Sequence, residues 1–142
     1  MFMDIVEFTE ENIEQYLDDC LEAQKFLIKP GEPVEAEQFR LTAASEHTYF
    51  IGVLDEGRVL GLGVVNKIVH PVRTNSYIDN IVVHEDARGK GYFKVIMNEL
   101  ERKSKEWGCT KVSLTCSREA VQGMYTKRGY KEKDTKYYTL DI

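Results

Sequence analysis

The sequence predicts an α/β fold: a mixed central sheet flanked by helices, with a parallel β-α-β unit as its core. Three observations carry that prediction. Ile78, Ile81, Val82 and Val83 are β-branched residues suited to a buried strand, and they lead into the glycine turn Arg88-Gly89-Lys90-Gly91. Beyond the turn the apolar period changes, and Phe93, Ile96, Met97, Leu100 and Trp107 recur at helical spacing. Gly108 then stops the helix and Lys111 to Cys116 reads as another strand, so strand, helix and strand imply a parallel pair with a right-handed crossover.

Taken in order, Phe2 to Phe8 reads as a first strand. Thr9 is a suitable N-cap, and Glu10 and Glu11 suit a first helical turn. Ile13, Tyr16, Leu17, Cys20 and Leu21 form an apolar helical stripe that continues to Phe26 and Leu27. Lys29-Pro30-Gly31-Glu32-Pro33 breaks it, and Glu35 to Glu46 follows as a second, weakly periodic helical segment. Tyr49–Leu54 and Val59–Val65 form a hairpin around Asp55-Glu56-Gly57-Arg58, whose antiparallel pairing makes the sheet mixed. Gly61 and Gly63 strip one face of the second strand, either for tight packing or for the approach of something bulky. Val69 to Asn75 reads as a longer loop, with His70 a loop residue. Arg118 to Lys127 is a further helix ended by Gly129, and Tyr130 with Tyr137–Ile142 gives the last one or two strands.

The 142 residues are expected to form a single domain, 1–142. With 42% hydrophobic and 30% charged residues, the composition is that of a soluble globular protein. No apolar run is long enough to cross a bilayer, and the N-terminus lacks a basic segment followed by an apolar core, so the expectation is cytoplasmic with no membrane role. Cys20, Cys109 and Cys116 are odd in number and form no C-x-x-C, which fits buried thiols in a reducing compartment and no metal site. The formal net charge of −5 argues against nucleic acid as a partner. Exposed strand edges at the C-terminus would suit a homodimer.

The glycine turn is where chemistry is expected. A first helical turn offers unpaired N–H donors and a partial positive charge, glycines let a ligand approach the backbone, and Arg88 and Lys90 add charge. Neither G-x-G-x-x-G nor G-x-x-x-x-G-K-[ST] is present. The residues alone fit a phosphate cradle or a helix entry with solvated cations.

With Met124-Tyr125-Thr126-Lys127-Arg128-Gly129-Tyr130 added, the chain resembles the GNAT superfamily of acetyl-CoA-dependent N-acetyltransferases. Arg88, Gly91 and Phe93 occupy the fixed places of that family's Q/R-x-x-G-x-G/A motif. Met124, Tyr125, Gly129 and Tyr130 match its aliphatic-Tyr-x-x-x-Gly-aromatic run. The resemblance covers about residues 48 to 130. Over Tyr77–Val83 and Gly108–Tyr130 it is most similar to the glucosamine-6-phosphate N-acetyltransferases. Phe93 departs from the small residue of the motif and is expected to pack in the core. Asn80 and Thr115 stand where the amino-sugar enzymes use acidic residues, leaving Asp79, and Arg118 stands where many relatives place an asparagine near the cofactor.

The resemblance implies a GNAT-like sheet and acetyl transfer to a primary amine of a small molecule. Backbone groups of Ile81, Val82 and Val83 would hold the pantetheine arm and the thioester oxygen. Main-chain N–H groups of Arg88, Gly89, Lys90, Gly91, Tyr92, Phe93 and Lys94 would hold the pyrophosphate, with Arg118 close by. Tyr125 would protonate the departing sulfur, and Asp79 is the candidate base, acting through water, or a structural carboxylate. Glu85 and Asp86 are expected to be solvated or capping, with His84 pointing outward. The early helices would wall the acceptor site or serve as scaffold. Two other readings stay open: a non-catalytic acyl-CoA-binding or sensing module, and a nucleotide-phosphate binder.

Overall fold

The computed structural model describes residues 3–26 and 32–142. Among them a five-stranded sheet runs in chain order: β1 (Asp4–Glu7), β2 (Thr48–Asp55), β3 (Arg58–Val69), β4 (Thr74–Val83) and β5 (Val112–Ser113). The first four strands pair antiparallel and β5 pairs parallel to β4, which is the expected mixed sheet with a β-α-β unit. Helices α1 (Ile13–Gln24) and α2 (Ala36–Ala44) precede β2, α3 (Tyr92–Glu106) crosses from β4 to β5, and α4 (Glu119–Lys127) follows β5.

Side chains alternate across β2, as the period of a strand requires. Phe50 and Leu54 face one core with Ile13, Leu17, Cys20 and Phe39 from α1 and α2. Tyr49, Ile51 and Val53 face the other with Ile96, Met97 and Leu100 from α3. The stripped face of β3 has a packing cause. A Cβ on Gly63 would lie 2.5 Å from Ile96 Cγ2, and one on Gly61 would lie 2.9 Å from Ile96 Cδ1. The bulky neighbour is α3. The β2–β3 turn places Glu56 and Gly57 at φ 51° and 79°, the left-handed pair of a tight hairpin.

Several elements differ from expectation. Asn12, not Thr9, immediately precedes α1, and its Oδ1 accepts from the Thr9 N–H at 2.8 Å. The expected 69–75 loop is shorter than read, a turn over residues 70–73 between β3 and β4, which pair as far as Val69 and Thr74; the His70 N–H closes it onto the Arg73 carbonyl at 2.9 Å. The strand expected over Lys111–Cys116 pairs only at Val112 and Ser113. No strand forms at Tyr130 or Tyr137–Ile142: residues 131–142 carry no helix or strand and are exposed. Phe2, Leu27 and most of the Lys29–Pro33 break lie outside the described residues. Cys20 is buried, and burial pushes its thiol up to about 12; Cys109 and Cys116 are half-buried.

Candidate active site

The site begins where the sheet fails. β4 and β5 pair only at Ser76–Val112 and Tyr77–Ser113, and beyond that point the strands diverge. The edge of β4 from Ile78 to Val83 thus faces a cleft whose opposite wall is Leu114 to Arg118, Val121, Met124 and Tyr125. At the same point β4 bulges against β3. Leu62 pairs with Val82 and Val64 with Asp79, so Asn80 and Ile81 together oppose Gly63. Asn80 takes φ 57°, a left-handed value that asparagine tolerates better than most residues. Its N–H donates to Asp79 Oδ1 at 2.7 Å. Its side-chain amide exchanges two hydrogen bonds with Gln24 of α1, at 2.8 and 3.1 Å.

The cleft, about 650 Å³, ends on the glycine turn and the first residues of α3. Gly89 and Gly91 sit at φ 76° and 89°, where only glycine is unstrained, and a Cβ on either would meet nothing within 4 Å. The turn therefore opens onto free space, and the N–H groups opening α3 have no acceptor within their own helix. That arrangement fits a diphosphate. Arg88 contributes differently from expectation: its N–H is held by the Glu85 carbonyl at 3.3 Å, and its guanidinium lies 5.6 Å from the Phe26 ring centroid.

The opposite wall is anchored by a charged clamp. Arg128 donates from Nη2 to Glu101 Oε1 at 2.6 Å and to Asn98 Oδ1 at 2.7 Å. The Tyr130 hydroxyl donates to Glu101 Oε2 at 2.7 Å. These bonds fix the end of α4 against α3. Tyr125 is held edge-on between Tyr130 (5.9 Å between centroids) and Phe93 (5.4 Å). Burial, with a smaller push from the Cys116 thiol, raises the Tyr125 phenol above its ordinary range, so it keeps its proton at neutral pH.

A second cavity, about 680 Å³, lies on the α1–α2 side of β4. Asp79 and Asn80 line both cavities, so the bulge is where the two meet.

Of the residues expected here, Asp79, Ile81, Val82, Val83, Arg88, Gly89, Gly91, Tyr92, Phe93, Lys94, Arg118 and Tyr125 all line the cleft. Lys90 does not, and it is exposed. Phe93 meets the expectation of core packing only in part. Tyr92 is the residue buried beneath the sheet, while Phe93 is half-buried, touches the core only in part and faces Tyr125. His84 also turns inward rather than outward: its Nδ1 accepts from the Asp86 N–H at 3.1 Å, and its ring packs edge-on against Phe26. Phe26, read as part of the apolar stripe, also lines the cleft, whereas Gln24 and Glu101 are the residues that local pattern did not single out. Their positions on apolar helices gave no signal of long-range partners. Among the described residues no cluster of His, Cys, Asp and Glu could hold a metal ion, and no helix is long and apolar enough to cross a membrane.

Glucosamine 6-phosphate N-acetyltransferase 1 of Oryza sativa is 27% identical to the chain over 117 residues, covering 75% of the chain and 70% of that protein. An acetyltransferase of Yersinia enterocolitica is 38% identical over 55 residues, 37% of the chain and 39% of that protein. Among solved structures, glucosamine-6-phosphate N-acetyltransferase from Arabidopsis thaliana superposes over 99% of both chains with a TM-score of 0.78 at 21% identity, a likeness of fold. Residues 9–130 match the sequence model of the Acetyltransferase (GNAT) family, so the chain belongs to the GNAT acetyltransferases, enzymes that draw their acetyl group from acetyl-CoA.

Proposed function

We propose that this enzyme acetylates a primary amine of a small molecule by direct attack, with Tyr125 as general acid and Asp79 as base. The supporting observation is the meeting of two cavities at Asp79 and Asn80, with Tyr125 on the far wall of the one that ends in the glycine turn. Acetyl-CoA, when bound, supplies the thioester carbonyl. The glycine turn and the α3 N-terminus hold its phosphates, and the open edge of β4 at Ile81 to Val83 offers main-chain groups to the pantetheine arm. Asp79 takes a proton from the incoming ammonium, through water, leaving a nitrogen lone pair free to attack. As the N–C bond forms and the C–S bond breaks, Tyr125 gives its phenolic proton to the sulfur. The proton left on the nitrogen after attack reloads the phenol and Asp79 gives its proton to solvent, so the enzyme ends as it began.

Tyr125→Phe tests the acid role: kcat is expected to fall about a hundredfold, the lower range of general acid catalysis, with acetyl-CoA affinity unchanged by calorimetry. Unchanged kcat removes Tyr125 from that role. Cofactor binding without thiol release across a broad amine panel would favour a sensing module instead.

The same reading includes a homodimer. β5 presents an open edge, and the exposed C-terminal arm carries Tyr138 and Leu140, each 85% exposed. A second copy supplies both an edge for the arm and an arm for the edge. Light scattering is expected to give twice the chain mass, falling to one when residues 131–142 are removed.

A further inference from the structure

The α1–α2 cavity has a charge and shape pattern of its own. Its wall contains two carboxylates, Asp79 at the bulge and Glu35 at the start of α2, and among the described residues no Lys, Arg or His lines it. Val34, Phe39, Leu41, Phe50 and Val64 add apolar surface to the same wall. Glu35 is exposed and its side chain makes no capping bond to α2, so its carboxylate is available to a ligand. Asn80 and Gln24, by contrast, satisfy each other.

We infer that the acceptor is an aliphatic diamine or polyamine, whose reacting nitrogen lies at Asp79, whose methylenes cover the apolar wall, and whose distal ammonium pairs with Glu35. This inference rests on the N-acetyltransferase reading and names its substrate class. A phosphorylated amino sugar would set a dianion against two carboxylates. A monoamine would leave Glu35 unused.

The test combines binding and turnover. An α,ω-diaminobutane, n-butylamine and glucosamine 6-phosphate are titrated by calorimetry into protein saturated with CoA, and each is assayed with acetyl-CoA by thiol release. The diamine is expected to bind most tightly and to show the highest kcat/KM. Glu35→Gln is expected to reduce the diamine-to-butylamine ratio of kcat/KM about threefold, the scale of one exposed ion pair, and Glu35→Lys to reduce it further. Acetyl-CoA binding by each variant checks that it is folded. Equal constants for diamine and butylamine, a ratio that Glu35→Lys leaves unmoved, or preference for glucosamine 6-phosphate each overturns the inference while leaving acetyl transfer intact. Diamine binding that Glu35→Lys weakens, with no thiol released from any amine, upholds the diamine site and overturns the catalytic reading.

Discussion

The two cavities that meet at the β4 bulge are made of different material. The cleft toward α3 takes one wall and its end from main chain: a strand edge exposed by the loss of pairing after Tyr77, two left-handed glycines and the first turn of a helix. The cavity toward α1 and α2 is built from side chains that α1, α2, β2, β3 and β4 bring together, with the Gln24–Asn80 amide exchange spanning 56 residues of sequence. A main-chain surface is insensitive to residue identity so long as the backbone path holds, which suits a ligand common to a whole family. A side-chain surface changes with single substitutions, which suits a ligand that differs from member to member. Breaking the first should require distorting the fold, whereas the second should yield to one polar change.

The largest expected effect therefore comes from Gly63, which lies opposite the bulge. An alanine Cβ there would meet Ile96 at 2.5 Å, Leu100 at 3.1 Å and Ile81 at 3.2 Å. Ile96 and Leu100 are fully buried and have no room to yield. Gly63→Ala is expected to cost about 2 kcal/mol in urea unfolding, within the range for overpacked cores. It is also expected to weaken acetyl-CoA binding severalfold, because α3 and Ile81 both belong to the cleft. Wild-type stability in this variant would mean that α3 is free to shift, and the contrast between the two cavities would weaken.

Next comes the clamp behind Tyr125. Glu101 accepts from Arg128 and Tyr130 together, and its ion pair with Arg128 is largely shielded, the two side chains being 25% and 17% exposed. Burial first, and then the bond to Glu101, raise the Tyr130 phenol well above its ordinary range, so it remains a donor at any working pH. Glu101→Gln keeps the shape but removes the charge, and is expected to cost about 1 kcal/mol. Its distinguishing readout is kinetic. If Glu101 positions Tyr125 through Tyr130, kcat falls while the KM for amine stays. A loss of stability with kcat intact would make the clamp purely structural.

The same division explains what the sequence could reveal. Strands β2 and β3 and helix α3 were legible because alternation and helical period report directly on which residues meet a core, and the β3 glycines correctly marked a close neighbour. The glycine turn was legible because the left-handed backbone at Gly89 and Gly91 favours glycine in any surrounding. The C-terminal strands were misread because Tyr137 to Ile142 have strand propensity, and propensity alone does not decide whether a segment joins an edge. Phe93 reaches the core only in part because Tyr92, one step of rotation away at about 100°, takes the fully buried place at the helix start. Nothing local to Gln24 or Glu101 distinguishes a solvated polar residue from one that holds another element in place.

Gln24 gives the smallest effect and the sharpest test of the comparison. It is 7% exposed at the end of α1, and both of its amide hydrogen bonds go to Asn80. Gln24→Ala would leave the Asn80 amide, only partly buried, to be satisfied by water, so about 1 kcal/mol is expected rather than the larger penalty of a fully buried orphan. The functional consequence should be one-sided. Asn80 is held at φ 57° partly by this exchange, and Asp79 is hydrogen-bonded to the Asn80 N–H, so loosening Asn80 moves the acceptor-side carboxylate. The glycine turn and the α3 N-terminus do not depend on it. KM for the amine is expected to rise about threefold while the acetyl-CoA dissociation constant is unchanged. If both constants rise together, the bulge is one rigid unit serving both cavities, and the division between a main-chain site and a side-chain site ends at β4.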